Sequence, residues 1–260
     1  ERSSNNRLVT NSTAAEITNY PMDLNNTNAF TSTGFDLYQA TGSLNYTDFN
    51  YASWSFRKAE KFFDVVTYTG TGVANNVAHS IGAVPGFIVC KATSTTSNWG
   101  AVHSSIDTYG ISLNTTNAGV NKYAASGSTS TTFNPNEISD HLGASMNLNG
   151  VTYVAYLFAS DAGGFGADGD ESVIKCGTFT TDGSGNATVS LGFEPQWVLN
   201  KVSSASDNWT IADNMRGFSV TNEQRLYANL ANAEAAATTF RPTSTGYTVN
   251  GGETSQTYIY

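Results

Sequence analysis

Residues 81–99 read IGAVPGFIVCKATSTTSNW, and residues 191–209 read LGFEPQWVLNKVSSASDNW. The two stretches align without a gap at an offset of 110 (191 − 81). Gly82/Gly192, Pro85/Pro195, Lys91/Lys201, Ser94/Ser204, Asn98/Asn208 and Trp99/Trp209 are identical. Self-similarity at a fixed period means that one supersecondary unit is used more than once, so the fold must be a set of copies of that unit.

The rest of the chain extends the pattern. Val65-Val66-Thr67-Tyr68-Thr69 matches Cys176-Gly177-Thr178-Phe179-Thr180 after a one-residue shift. Arg7-Leu8, Asn11 and Ala15-Glu16 recur as Arg225-Leu226, Asn229 and Ala233-Glu234, at close to twice the period. Thr31-Ser32-Thr33-Gly34-Phe35 recurs as Thr243-Ser244-Thr245-Gly246-Tyr247. Tyr51–Phe56 resembles Tyr153–Phe158, and Tyr258-Ile259-Tyr260 begins the same pattern. The expected division is the second half of an incomplete repeat over 1–60, a full repeat over 61–160, and a second repeat over 172–260 truncated at its last strand. On this reading the chain is a slice of a longer protein.

Composition selects strands for the unit. Charged residues are 13% of the chain, about half of the ~25% usual in globular proteins. Thr, Ser, Asn and Gly replace them, alongside 13 Tyr and 14 Phe; β-branched and aromatic residues suit a pleated surface, Gly and Asn suit turns. Strands are expected at Phe63–Thr69, Val73–Ile81, Gly86–Ala92, Trp99–His103, Ile111–Asn114 and Thr152–Phe158, with weaker ones between Thr131 and Asn147. Short strands at this spacing, with no amphipathic helix between them, predict an all-β chain of tandem, jelly-roll-like β-sandwich repeats of about 110 residues. Each repeat is expected to carry its own core, with Ser160–Glu171 as the hinge, and Tyr51, Trp54 and Phe56 to dock segment 1–60 onto its neighbour.

The net charge of −9, with basic residues scattered apart from Arg57-Lys58 and Lys61, argues against a nucleic-acid surface. The longest apolar run, Tyr153–Ala159, is far short of the ~18 residues of a membrane-spanning helix, so no membrane insertion is expected. Cys90 and Cys176 fall at different places in the two repeats and read as free thiols, as in a reducing compartment.

No motif carries catalytic chemistry. Gly164–Gly169 matches GxGxxG, but Asp168, Asp170 and Glu171 would repel phosphate and the following segment reads as a strand. His79 aligns with Val189 and His103 with Asp213, so no histidine is shared between repeats. No catalytic residue, cofactor or metal is expected; the one cation alternative is calcium on Asp161, Asp168, Asp170 and Glu171. The shared Lys-x-x-Ser-x-x-x-Asn-Trp element has two readings. Asn98, Trp99, Asn208 and Trp209 could contact a glycan, with indole stacking on a sugar ring. Alternatively the tryptophans anchor a core and the asparagines hold the preceding turn.

Phe62 through Gly70, Gly82-x-x-Pro85, Lys91 through Asn98-Trp99, and Thr152 through Tyr156, with Arg57-Lys58-Ala59 ahead of them, together resemble a repeat of tailed-bacteriophage virion proteins, of the tail-fibre or structural kind. The second repeat departs from it at Ser172-Val173-Ile174-Lys175. The resemblance implies a non-enzymatic structural protein at the virion surface, assembled in the host cytoplasm as a homo-oligomer, a trimer. Its expected partners are other virion proteins and a host-surface glycan. The expected role is a tail-fibre or receptor-binding segment. Alternatives are a capsid decoration or head-fibre protein, and a carbohydrate-binding module of a surface protein.

Overall fold

A computed structural model describes residues 7–17, 33–35, 48–106, 109–121 and 127–260. Much of the expected half-repeat 1–60 therefore lies outside the described residues, Thr31-Ser32 among them. The chain is all-β. Its strands begin with β1 (Phe63–Thr69), β2 (Val77–Ala78), β3 (Phe87–Ala92), β4 (Trp99–His103), β5 (Tyr109–Ser112) and β6 (Val120–Asn121). They continue with β7 (Thr132–Phe133), β8 (Thr152–Phe158), β9 (Thr178–Thr180), β10 (Ala187–Ser190), β11 (Trp197–Val202) and β12 (Trp209–Asp213). The last are β13 (Glu223–Tyr227), β14 (Ala235–Ala237), β15 (Phe240–Thr243), β16 (Gly246–Val249) and β17 (Thr257–Ile259). The expected strand Val73–Ile81 shrinks to β2, because the turn-forming stretch after Gly72 and the break at Gly82 leave little room for a ladder. The strand expected at Ile111–Asn114 begins and ends earlier, since Leu113 and Asn114 lie within the Ser112–Thr115 turn instead.

Two six-stranded antiparallel sheets dominate, ordered β1-β8-β3-β4-β5-β6 and β9-β17-β11-β12-β13-β14. The strand equivalent by sequence occupies the same place in each. Aromatic pairs follow suit: Tyr68 stacks on Tyr153 at 5.1 Å, and Phe179 on Tyr258 at 4.8 Å. A two-stranded ribbon β2-β7 and a three-stranded sheet β10-β16-β15 complete the architecture.

The pleat of β3 explains the layering. All six of its residues are buried, as for a strand covered on both faces. Ile88, Cys90 and Ala92 point into a core shared with Phe133, Ile138, Met146, Tyr153 and Leu157, under the β2-β7 ribbon and the loop that follows. Gly100 makes room for this core: a Cβ there would meet the Met146 side chain at 2.9 Å. Phe87 and Val89 point the other way, into a core with Trp99, Ala101, Ile111, Trp209, Ala228 and Ile259. A third core of Val198, Ala212, Phe240, Tyr247 and Val249 lies beyond the second sheet, covered by β10-β16-β15.

Each six-stranded sheet does carry a core of its own, but the middle core corrects the expectation that the two are joined only through a hinge. Residues from both six-stranded sheets share it, since β3, β4, β11 and β12 are apolar on both faces and the second face must also leave water. Nor is the linker an open hinge. Asp161 N–H donates to Ile174 O at 3.0 Å, Gly164 N–H to Gly169 O at 2.8 Å, and Phe165 and Glu171 bridge as a ladder rung. Gly163, Gly164, Gly166 and Gly169 adopt positive φ, which closes this hairpin.

Asp64 in β1 is buried and accepts from Ser80 N–H at 2.6 Å, Ser80 Oγ at 3.0 Å and Val65 N–H at 2.8 Å, with Lys58 Nζ at 2.7 Å. Burial works to raise its pKa; the bonds from Lys58 and Ser80 outweigh it and hold the carboxyl below its ordinary value. A depressed folded-state value stabilises above the unfolded pKa and is lost as pH falls through the folded one. Asp64→Asn is therefore expected to cost about 1–3 kcal/mol at neutral pH. Urea midpoints measured from pH 6 to pH 2 should show the gap to the parent closing with acidification.

Candidate functional site

The shared Lys-x-x-Ser-x-x-x-Asn-Trp element forms a clamp, and the structure contains it twice. In the β3-β4 hairpin, Lys91 lies opposite Trp99 across the ladder; in β11-β12, Lys201 lies opposite Trp209. Both pairs point toward the middle core. The carboxamides of the element hold the hairpin to the strand beyond it. Asn114 Oδ1 accepts from Trp99 N–H at 2.9 Å, and its Nδ2 donates to Asn98 Oδ1 at 2.9 Å. Asn229 does the same for Trp209 at 2.9 Å and Asn208 at 2.8 Å.

Each hairpin then grips the segment ahead of it in the sequence. Trp99 Nε1 donates to Val9 O at 3.0 Å, and Lys91 Nζ to Thr13 O at 3.1 Å. Ser97 N–H also donates to Thr13 O, at 2.9 Å, and Glu16 N–H returns a bond to Thr93 O at 2.9 Å. The second hairpin reproduces this bond for bond. Trp209 Nε1 donates to Ser112 O at 2.9 Å and Lys201 Nζ to Thr116 O at 3.3 Å. Asp207 N–H donates to Thr116 O at 2.8 Å, and Gly119 N–H to Ser203 O at 3.2 Å. Both gripped segments carry the same turn: Ser12 N–H to Val9 O, and Thr115 N–H to Ser112 O.

Buried ammonium groups are costly unless several acceptors surround them. Lys91 has Thr13 O, Ser97 O and Ser97 Oγ; Lys201 has Thr116 O, Val202 O and Ala205 O. Burial pushes both ammonium groups down, to about 8. All the atoms that accept from the two ammonium groups are neutral, so the clamps hold backbone to backbone through two cations and two indoles, with the Asp207 carboxylate acting on Lys201 only through space.

This geometry corrects the glycan reading of Asn98, Trp99, Asn208 and Trp209. Trp99 is 4% exposed and Trp209 1%; neither indole offers a face to a sugar ring, and both N–H groups are taken. The calcium alternative also falls. Asp161 pairs with Lys175 at 3.3 Å, and among the described residues no group of three or more His, Cys, Asp or Glu could hold a metal ion. Of the three expected docking residues, Tyr51 is 49% exposed. Trp54 reaches the second sheet, donating from Nε1 to Asp213 Oδ2 at 3.2 Å beneath the Arg216 guanidinium. Phe56 packs on Phe63, Phe158 and Trp197 at 5.6–5.7 Å between ring centres.

A cleft of about 530 Å³ opens beside Trp197, walled by Phe56, Ile174, Phe193, Leu199 and Tyr260. It exists because β17 flanks β11 only at Lys201 and Val202, whereas β8 flanks β3 from Phe87 to Ala92. His103 and Cys176 border it. Burial pushes the imidazole down to about 4 and the thiol up to about 12. His103 Nε2 lies 2.9 Å from Tyr260 O, so a neutral ring and a protonated thiol face the cleft rather than an activated pair. His141 Nδ1 lies 2.8 Å from Ser112 Oγ; that hydroxyl is fully buried and also accepts from His141 N–H, which makes it a loop staple.

Sequence reasoning found the gripping side chains but not the gripped turns. The Arg-Leu…Asn…Ala-Glu correspondence between the two ends of the chain was the available signal. The middle copy keeps Asn114 and Ala118 but has Gly110, Ile111 and Gly119 where the others have Arg, Leu and Glu, so the three did not stand out together. No curated protein and no solved structure matches the chain. A family model described as "Domain of unknown function (DUF7483)" matches residues 1–260, and the chain, with its twice-made clamp, belongs to that family.

Proposed function

We propose that the chain is a non-enzymatic structural segment of a bacteriophage virion, a tail-fibre or receptor-binding segment made of tandem β units of about 110 residues. The repeated clamp supports this reading. Its lysines, tryptophans and asparagines, the most chemically capable residues that the two copies share, are consumed in joining one unit to the next. Serial joining through buried, neutral acceptors suits an extended particle appendage that must hold its shape outside the cell. Other virion proteins and further copies of the chain are its partners on this reading.

The test is placement on the particle. Antibody raised against the chain, imaged on purified phage that encodes it, is expected to decorate the tail fibres at a few copies per particle. Label on the head shell at hundreds of copies would replace the fibre role with capsid decoration. Particles carrying no label would overturn the virion reading altogether.

A further inference from the structure

A third turn of the gripped kind is present, and among the described residues no hairpin occupies it. Tyr227, Asn229, Ala231 and Glu234 stand at the same spacing as Ser112, Asn114, Thr116 and Gly119, and as Val9, Asn11, Thr13 and Glu16. The turn itself is already formed, with Leu230 N–H on Tyr227 O at 3.3 Å, against 3.3 Å and 3.2 Å in the other two. Leu8 and Ile111, three residues before Asn11 and Asn114, both reach the middle core; Leu226 holds that place before Asn229. Yet Leu230 is 36% exposed, and Ala231 through Glu234 are exposed too.

The indole N–H groups of all 4 tryptophans are accounted for, and none reaches Tyr227 O. Trp54, Trp99 and Trp209 donate to Asp213, Val9 and Ser112, while Trp197 Nε1 is buried without a partner. Among the described residues no ammonium reaches Ala231 O. We propose that the Tyr227–Glu234 turn is a docking site for a further β-hairpin of the Lys91–Trp99 kind, belonging to another unit of the same type. Its indole donates to Tyr227 O. Its lysine and the amide two residues before its tryptophan donate to Ala231 O. The carbonyl two residues past its lysine accepts from Glu234 N–H.

A second copy of this chain, as folded here, is not the occupant, because both of its hairpins are already clamped. The occupant is a unit whose hairpin is free. Glu234 repeats Glu16 of the first clamp, with its exposed side chain held by Arg216 Nη1 at 3.4 Å; the occupant is identified by the two clamps already made, whose turns this one matches. The inference rests on the tandem-unit part of the proposed function and not on the virion: a failed docking test leaves placement on the particle untouched, and a failed imaging test leaves docking untouched.

Two probes test it against the full chain. One is a backbone-cyclised peptide of residues 87–103; the other is a chain of residues 61–260 carrying Ala231→Lys, whose Trp99 hairpin lacks the segment it grips and whose own turn is blocked against self-association. Calorimetry is expected to give a 1:1 complex with each probe, and hydrogen exchange a slowed Glu234 amide. Trp99→Ala in the probe should abolish binding. Ala231→Lys in the full chain sets a cation against the incoming ammonium at an exposed position and should weaken binding about tenfold or more. If the 61–260 probe proves unfolded by circular dichroism, the cyclised peptide decides. Absence of binding by the folded probes, or binding indifferent to Ala231→Lys, overturns the proposal.

Discussion

Trp209→Ala is expected to lower the unfolding free energy by about 3–5 kcal/mol, the range for truncating a buried large aromatic. Trp209 is 1% exposed, and its ring fills the core between the two six-stranded sheets, 6.0 Å from the Phe87 ring. Truncation leaves a cavity that neither sheet can close without moving off its own second core. It also removes the donor to Ser112 O. Trp209→Phe separates the two effects: most of the ring volume stays and only the N–H is lost, at a cost of about 1–2 kcal/mol. Urea titration followed by far-ultraviolet circular dichroism measures both. A truncation cost under about 1 kcal/mol would mean that the sheets do not depend on their shared core.

Lys201→Met is expected to destabilise by about 2–3 kcal/mol near neutral pH, because charge-assisted bonds of about 1.5–3 kcal/mol each are lost to Thr116, Val202 and Ala205 while the cost of burying the charge is relieved. The loss should change with pH. Burial depresses the folded-state ammonium from 10.5 to about 8, so between those values the unfolded chain holds a proton that the folded chain has released. Stability contributed by such a group rises with pH across that window. The deficit of Lys201→Met relative to the parent should therefore widen from pH 8 to about pH 10.5. Comparing the variant with the parent at each pH cancels the opposing effect of Cys90, whose thiol burial pushes up to about 12. A deficit that stays flat across the window would show that the ammonium is solvated, and that the clamp is held by the indole alone.

Local pattern carried the strands. Phe63–Thr69, Trp99–His103 and Thr152–Phe158 occur with the bounds that alternation and flanking turn residues assign them, because the pleat exposes every second side chain to one face and the sequence records it. The offset of 110 likewise marks strands that take equivalent places in two sheets. The chain also states that its central strands are apolar on both faces, so that two surfaces of each must be covered. What covers them is a matter of tertiary structure. Nothing local distinguishes a ribbon and loop over Ile88 and Cys90 from a second sheet over Phe87 and Val89, since burial free energy is non-directional and any apolar surface satisfies it. The role of Lys91, Trp99, Lys201 and Trp209 was hidden for a related reason: their partners are backbone carbonyls, which every residue has, so the acceptors at Val9, Thr13, Ser112 and Thr116 leave no mark in side-chain chemistry. Only the fold, by bringing those turns beneath the hairpins, decides that an element able to face a sugar is instead sealed between two sheets.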